Sequence, residues 1–467
     1  MKSSLLIVAL AAGLLTGCAV GPNYHRPKIT PPPSFRGAAA TADPASLADA
    51  KWFTVFKDEQ LQALIKESLE HNYDMREAAA RIEAARAALG ITRADQFPTL
   101  AAGADVTTQR VSRSGSVPLP QGFKQERTFG TVAGNLLSYE VDIWGRLRRA
   151  TEAARADLLA TEENRKAVAM MLVGDVTTTY FNLLELDQEL DIAKRTLKTR
   201  QDSLRLIHAR QSRGLATVLE VRQAEQLVQV AAEAIPAIEQ RIEQAENQIS
   251  LLAGRAPSPV ARNRRLTDEE LPAAVPAGVP SSLLARRPDI RAAEQNLVAA
   301  NATIGVAKAA YFPQISLTGL FGFQSNQLSQ LFTGAAKTWQ FAPQLTQPIF
   351  TGGRLKSNVR YAEANTNIAL VRYERTIQTA FREVADALVQ HQKASEIRAQ
   401  QEALVATLQD RSRLSYLRYR GGVDTLFSAL DADRDLFDAE LRLAQVRLDE
   451  LVSVVRLYRA LGGGWQQ

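Results

Sequence analysis

The sequence predicts an α+β membrane protein: a trimeric 12-stranded transmembrane β-barrel, four strands per chain, continued by a long α-helical coiled-coil barrel, with an internal two-fold repeat. Three observations predict it. Short stretches alternate apolar and polar residues with period two, two very long stretches carry helical periodicity, and the second half of the chain repeats the plan of the first.

The repeat sets the boundaries. Asn72-Tyr73-Asp74-Met75-Arg76 answers to Arg287-Pro288-Asp289-Ile290-Arg291, and Gly90 with Phe97-Pro98 answers to Gly305 with Phe312-Pro313, at an offset of 215. Gly145-Arg146-Leu147 answers to Gly353-Arg354-Leu355, Gly214 to Gly422, Thr217 to Thr425 and Gly254 to Gly462, at an offset of 208. The change in offset falls between the Phe-Pro and Gly-Arg pairs, so loops of variable length lie there. Each half reads helix, strands, then paired long helices: 71–98, 99–143 and 144–254, then 289–312, 313–350 and 351–461. Residues 18–70 and 255–288 lie outside the repeats, and 462–467 form a tail.

Residues 1–17 carry Lys2, an apolar run from Leu5 to Leu15 and then small residues, the layout of a secretory signal and too short to span a bilayer. Leu15-Thr16-Gly17-Cys18 resembles the bacterial lipobox. That resemblance implies cleavage before Cys18, acylation of its thiol and new amine, and, with Ala19 following, export to a Gram-negative outer membrane. Cys18 is the only cysteine, so it makes no internal disulfide. The bland alternative is a buried cysteine at the end of a hydrophobic segment.

The strands come next. Ile315, Leu317, Gly319, Phe321 and Phe323 alternate with Gln314, Ser316, Thr318, Leu320, Gly322 and Gln324, and Trp339, Phe341, Pro343 and Leu345 alternate with Gln340, Ala342, Gln344 and Thr346. In the first half Leu137, Tyr139, Val141 and Ile143 alternate with Leu136, Ser138, Glu140 and Asp142, and Thr99 to Val111 is a weaker, alanine-rich strand. Strands of about ten residues, apolar outside and polar inside, are the signature of a transmembrane barrel; a half-exposed soluble sheet would show the same alternation. Four strands are too few to close, because membrane barrels need about eight or more. Three copies supply twelve, with Ser112 to Glu126 and Ser325 to Thr338 as outward loops, since the opposite strand ends run into helices. Asp105, Glu140 and Asp142 on the inner face predict a locally acidic exit.

From Arg146 to Arg213 there is no proline, and Val176, Leu183, Leu190, Leu197 and Leu204 recur every seven residues as a coiled-coil seam. Such a helix is roughly 100 Å long at 1.5 Å per residue, and Leu355 to Arg420 makes a similar one. The second is less regular, its apolar stripe giving way to polar residues around His391. The helices that follow carry stripes of their own, and Pro236 should kink the first of them. Gly214, Gly421 and Gly422 lie at the reversals between long and following helices, where glycine tolerates positive φ.

The formal charge of +6 becomes +5 without Lys2, with acidic and basic residues interspersed, which suits solvated helix surface and no nucleic-acid partner. The four histidines are scattered, and there is no paired Cys/His spacing, P-loop or dinucleotide fingerprint. No catalytic, metal or cofactor site is expected beyond the covalent lipid on Cys18.

Cys18-Ala19-Val20-Gly21-Pro22-Asn23-Tyr24, the string Leu283-Leu284-Ala285-Arg286-Arg287-Pro288-Asp289-Ile290, the Phe-Pro strand starts and Tyr419-Arg420-Gly421-Gly422-Val423-Asp424 together resemble the TolC family of outer-membrane efflux channels, in its lipoprotein branch of NodT- or OprM-like factors. The resemblance covers nearly the whole chain. It implies a homotrimer anchored in outer-membrane lipid, a periplasmic α-barrel, and an equatorial belt built from 255–288 and both termini. It also implies a passive exit duct for drugs or other small toxic compounds, working with a periplasmic adaptor protein and an inner-membrane transporter of the resistance-nodulation-division class. In the family's motif Asp431 matches an acidic ring and Phe427 an apolar ring of the periplasmic gate, while Ser428 stands where a second acidic ring is found. Glu220 and Tyr419 match a pair linking inner and outer helices at the tip, and Asp424 replaces a basic residue there. A core phenylalanine and a solvated aspartate are the plain alternatives for Phe427 and Asp431. Two other functions remain open at this point: a duct for type I protein secretion, and a lipid-anchored coiled-coil scaffold without a pore.

Overall fold

The structure is a computed structural model of the chain and describes residues 19–37, 46–112, 114, 120, 122, 124–269 and 276–465. The signal segment 1–17 and Cys18 lie outside the described residues, as do most of the first expected loop and part of 255–288. Along the chain run α1 (Trp52–Val55), α2 (Glu59–His71), α3 (Tyr73–Ala94), β1 (Thr99–Arg110), β2 (Glu126–Glu140), α4 (Arg146–Gln211), α5 (Val218–Leu252), α6 (Pro280–Arg286), α7 (Pro288–Ala309), β3 (Gln314–Ser325), β4 (Lys337–Thr346), α8 (Arg354–Arg420) and α9 (Leu426–Ala460). The chain divides into two compact units, one from Met1–Pro27, Ile82–Thr161 and Ala293–Tyr373, the other from Lys28–Arg81, Glu162–Ala292 and Glu374–Gln467.

The first unit holds a four-stranded antiparallel sheet in the order β1-β2-β3-β4. Its register places Ile315, Leu317, Phe321 and Phe323 beside Leu345, Pro343, Trp339 and Lys337 on one face, and Val132, Gly134 and Leu136 continue that row into β2. The opposite face carries Asp105, Thr107, Thr131, Asn135, Thr318, Gln324 and Gln340. β2 departs from the expected pattern. It begins at Glu126, and its register to both neighbours slips at Leu137: Leu136 faces Leu100 and Gly319, while the next partners are Ser138 with Thr99 and Tyr139 with Leu317. One inserted residue reverses the phase, so even-numbered residues are on the apolar face before Leu137 and odd-numbered ones after it. Leu136, expected on the polar face, is therefore on the apolar one.

The expected acidic row is also corrected. Glu140 accepts from Arg146 Nε and Nη2 at 2.8 and 2.6 Å, and Asp142 caps α4 through the Leu147 and Arg148 amides while pairing with Arg148 at 3.4 Å. Both carboxylates sit at the strand-to-helix junction and are neutralised there. The described chain enters this unit as a strap: Val20 N–H donates to Trp144 O at 2.9 Å, and Arg149 Nη2 donates to Asn23 Oδ1 at 2.7 Å.

In the second unit, Asn72 caps α3 and donates to Leu252 O at 3.0 Å, while Arg287, at the start of α7, donates to Ala460 O at 3.1 Å. The Arg-Pro-Asp string has a local reason: buried Arg287 forks onto Asp289 at 2.9 and 2.6 Å and reaches Glu383 at 2.7 Å. Residues of the two segments outside the repeats pair here, Ser46 bridging to Ala277 and Leu47 N–H donating to Pro276 O. Helix α5 runs unbroken through Pro236. The polar stretch of α8 has a partner: His391 Nδ1 lies 2.9 Å from Ser453 Oγ, and Arg398 pairs with Glu450 at 2.6 Å. Glu402 then joins Arg398 to Arg447.

The leucine seam of α4 is only partly the buried line. Val176 and Leu183 are fully buried, but from Ala193 on the deepest positions are Ala193, Arg200 and Ile207, and Leu190, Leu197 and Leu204 flank them half-buried. Glu185 and Glu189, one turn apart, are also buried. Arg241 pairs with Glu189, whereas burial first, then the hydrogen bond and charge of Glu189, push the Glu185 carboxyl up to about 8. The folded chain thus holds a proton between about pH 4.5 and 8 that the unfolded chain releases, so stability falls as pH rises through that window. Glu185→Gln is expected to flatten this fall and to be more stable than the parent at pH 8.5. Melting curves from pH 5 to 9 that run parallel for the two chains would contradict the assignment.

Candidate functional site

The helical tips of the second unit are the candidate site. Helix α4 ends where Gly214 takes φ +72°, with Leu215 N–H closing onto Arg210 O at 2.9 Å, and α8 ends where Gly422 takes φ +74°, with Val423 N–H closing onto Arg418 O at 3.1 Å. A Cβ strains this left-handed conformation, which explains both glycines. Gly421 is not left-handed; it ends α8 with its N–H on Leu417 O. Three residues past each left-handed glycine a threonine caps the next helix. Thr217 forms a reciprocal box with Glu220, and Thr425 Oγ1 accepts from Ser428 N–H.

The two tips share one apolar core, in which Ile207 of α4, Val221 and Ala224 of α5, Tyr419 of α8 and Leu426, Ala429 and Leu430 of α9 pack together. Glu220 spends its carboxylate on the Thr217 amide and hydroxyl at 2.6 and 3.0 Å. Tyr419 lies beneath the Arg210 guanidinium, 4.7 Å from ring centroid to Cζ, and its buried hydroxyl has no hydrogen-bond partner among the described residues. Glu220 and Tyr419 therefore meet in the same tip without a direct bond. Asp424 accepts from Thr425 N–H at 2.8 Å, Ser428 Oγ at 3.0 Å and Arg418 Nε at 3.1 Å, contacts that hold its carboxyl below the usual range.

Asp431 does not stand free. Arg411 of α8 donates to Asp431 at 2.8 Å and to Asp435 at 2.7 Å, and Arg434 adds a second bond to Asp431 at 2.6 Å. The Arg411 and Arg434 contacts hold the Asp435 carboxyl below its ordinary range. Phe427, one turn before Asp431, is 63% exposed in the single chain. The apolar and acidic positions thus differ in kind, one presented outward and the other tied to the neighbouring helix.

Sequence reasoning missed the polar group that binds the tip helices together. Arg200 of α4 pairs with Asp433 of α9 at 2.7 Å, donates to Leu227 O of α5 at 3.0 Å, and stacks 4.9 Å over Phe437. Tyr416 of α8 lies beside them, its hydroxyl pushed up to about 12 by burial and by the charge of Asp433. Burial raises the Asp433 carboxyl and Arg200 opposes the rise. An arginine on the buried line of a heptad helix was the available signal, and its partner lies 233 residues away.

The family model described as outer membrane efflux protein matches residues 64–255 and 279–463. The chain belongs to the outer membrane efflux protein family. Membership places it in the outer membrane, among transport proteins. Similar proteins include a probable efflux pump outer membrane protein, TtgC of Pseudomonas putida, 39% identical over all of this chain and 97% of that protein. OprJ of Pseudomonas aeruginosa is 38% identical over 99% of this chain and 96% of its own length. Among solved structures, the open state of the MtrE outer membrane channel of Neisseria gonorrhoeae superposes with TM-score 0.86 at 32% identity, covering 96% of this chain and 99% of that one.

Proposed function

We propose that the chain is the outer-membrane exit duct of a tripartite efflux pump, conducting drugs or other small toxic compounds passively from periplasm to exterior. The observation that carries this reading is the sheet: one apolar face, one polar face, and two edges, on β1 and β4, with no strand partner among the described residues. Open edges are not tolerated in hydrocarbon. A homotrimer pairs β1 of each copy with β4 of the next and closes a twelve-stranded barrel around a polar lumen, with the helices of both halves of an internal two-fold repeat extending as the periplasmic α-barrel. Relatives named for toluene and antibiotic efflux support the cargo class.

The strap at Val20 and Asn23 supports lipidation of Cys18, because it holds the next residues beside Trp144 at the strand base, where a lipid meets the bilayer. Exposed Leu215, Val218, Leu219 and Val423 at the tips suit docking by a periplasmic adaptor, which links the duct to an inner-membrane transporter of the resistance-nodulation-division class. At the tip, Phe427 narrows the three-fold axis and the Arg411 link to Asp431 and Asp435 keeps α8 against α9 when idle. In planar bilayers the parent trimer is expected to conduct weakly and the Phe427→Ala, Asp431→Ala double variant several-fold more. A trimer silent in both forms would defeat the channel reading and favour a scaffold.

A further inference from the structure

On the apolar face of the sheet the row is not uniformly bulky. Ala102 and Ala104 of β1 lie beside Gly134 and Val132 of β2 and floor a groove of about 460 Å³, walled by Phe321, Phe323 and Phe332. Phe332 comes from the β3–β4 connection, which folds back over this face: its ring meets Phe323 at 5.7 Å, and Leu328 comes so close to Gly130 that a Cβ there would sit 2.9 Å from its methyl. Phe332 nonetheless remains 71% exposed, so the flap builds a wall and does not fill the hollow. At the loop end of the groove Lys337 Nζ lies 5.4 Å from the Phe321 ring, on the same face.

A flat floor of small residues between aromatic rings accepts an unbranched hydrocarbon chain, and a cation at one end selects a chain whose headgroup is anionic. We propose that this groove binds one acyl chain of the phosphorylated glycolipid of the outer leaflet, with a phosphate on Lys337. The proposal rests on the outward orientation of the loops given above, which puts Lys337 at outer-leaflet headgroup depth. These residues lie on the apolar face of the sheet and belong to neither the polar face nor the helical tips. The bound lipid would seal the hollow where bulky side chains are missing.

The test counts bisphosphorylated lipid A retained by the purified trimer in native mass spectrometry, beside phosphatidylglycerol and phosphatidylcholine. One lipid A per chain is expected. Ala104→Trp, which fills the floor, and Lys337→Glu, which reverses the charge, are each expected to weaken retention roughly tenfold or more. Lys337→Glu lies at an exposed rim and keeps the test informative if the tryptophan disturbs the barrel. Unchanged retention in both variants, or phosphatidylglycerol held as tightly as lipid A, overturns the proposal. Absence of trimer and of conductance in the parent chain would instead count against the duct on which it rests.

Discussion

Replacing Asp433 by alanine is expected to loosen the tip by about 3 kcal/mol, read as roughly a hundredfold faster amide exchange in the end of α4 and the start of α9. Arg200 is 3% exposed, and one of its terminal nitrogens already has no partner among the described residues. Loss of Asp433 leaves a guanidinium out of water with only the Leu227 carbonyl and the Phe437 ring to compensate it. Breaking one half of a buried pair costs more than removing both halves. Arg200→Met combined with Asp433→Leu should therefore recover most of the protection. Equal exchange in the single and double variants would show that the pair does not hold these helices together.

The combined Ile349→Asp, Phe350→Asp variant is expected to remain monomeric. These side chains follow β4 and are 96% and 90% exposed in the single chain, beside an edge strand. Burying an isoleucine or phenylalanine contributes about 1.5–3 kcal/mol each, and in a trimer the gain recurs at every interface. Carboxylates at both positions replace it with a desolvation cost. Native mass spectrometry in mild detergent reads the outcome directly, and an undiminished trimer would show that these residues lie outside the subunit contacts.

Much of the architecture was legible because it rests on local rules. The long helices follow from apolar spacing without an intervening proline, and the reversals from Gly214 and Gly422. The β3 and β4 rows were legible too, since each keeps one phase throughout. β2 was not, because an inserted residue at Leu137 reverses its alternation and a fixed period of two cannot be read across it. The polar stretch at His391 looked like a defect in a stripe until Ser453, Glu450 and Arg447 of α9 met His391, Arg398 and Glu402 of α8.

By itself the sequence determined the long helices and the order of helix, strands and paired helices in each half, the two faces of β3 and β4 and the sites of reversal, since these depend on neighbours a few residues apart. Only the tertiary structure decided which charges are available. Glu140 and Asp142 read as an acidic exit and prove to be bound at the strand base, Asp431 reads as a bare carboxylate and proves to be held by Arg411, and Arg200, which sequence reasoning passes over, proves to be the buried tie of the tip. The physical reason is distance: a carboxylate is neutralised by whichever cation lies within about 3 Å. For Arg200 and Asp433 that neighbour is set by helix packing across more than two hundred residues of chain.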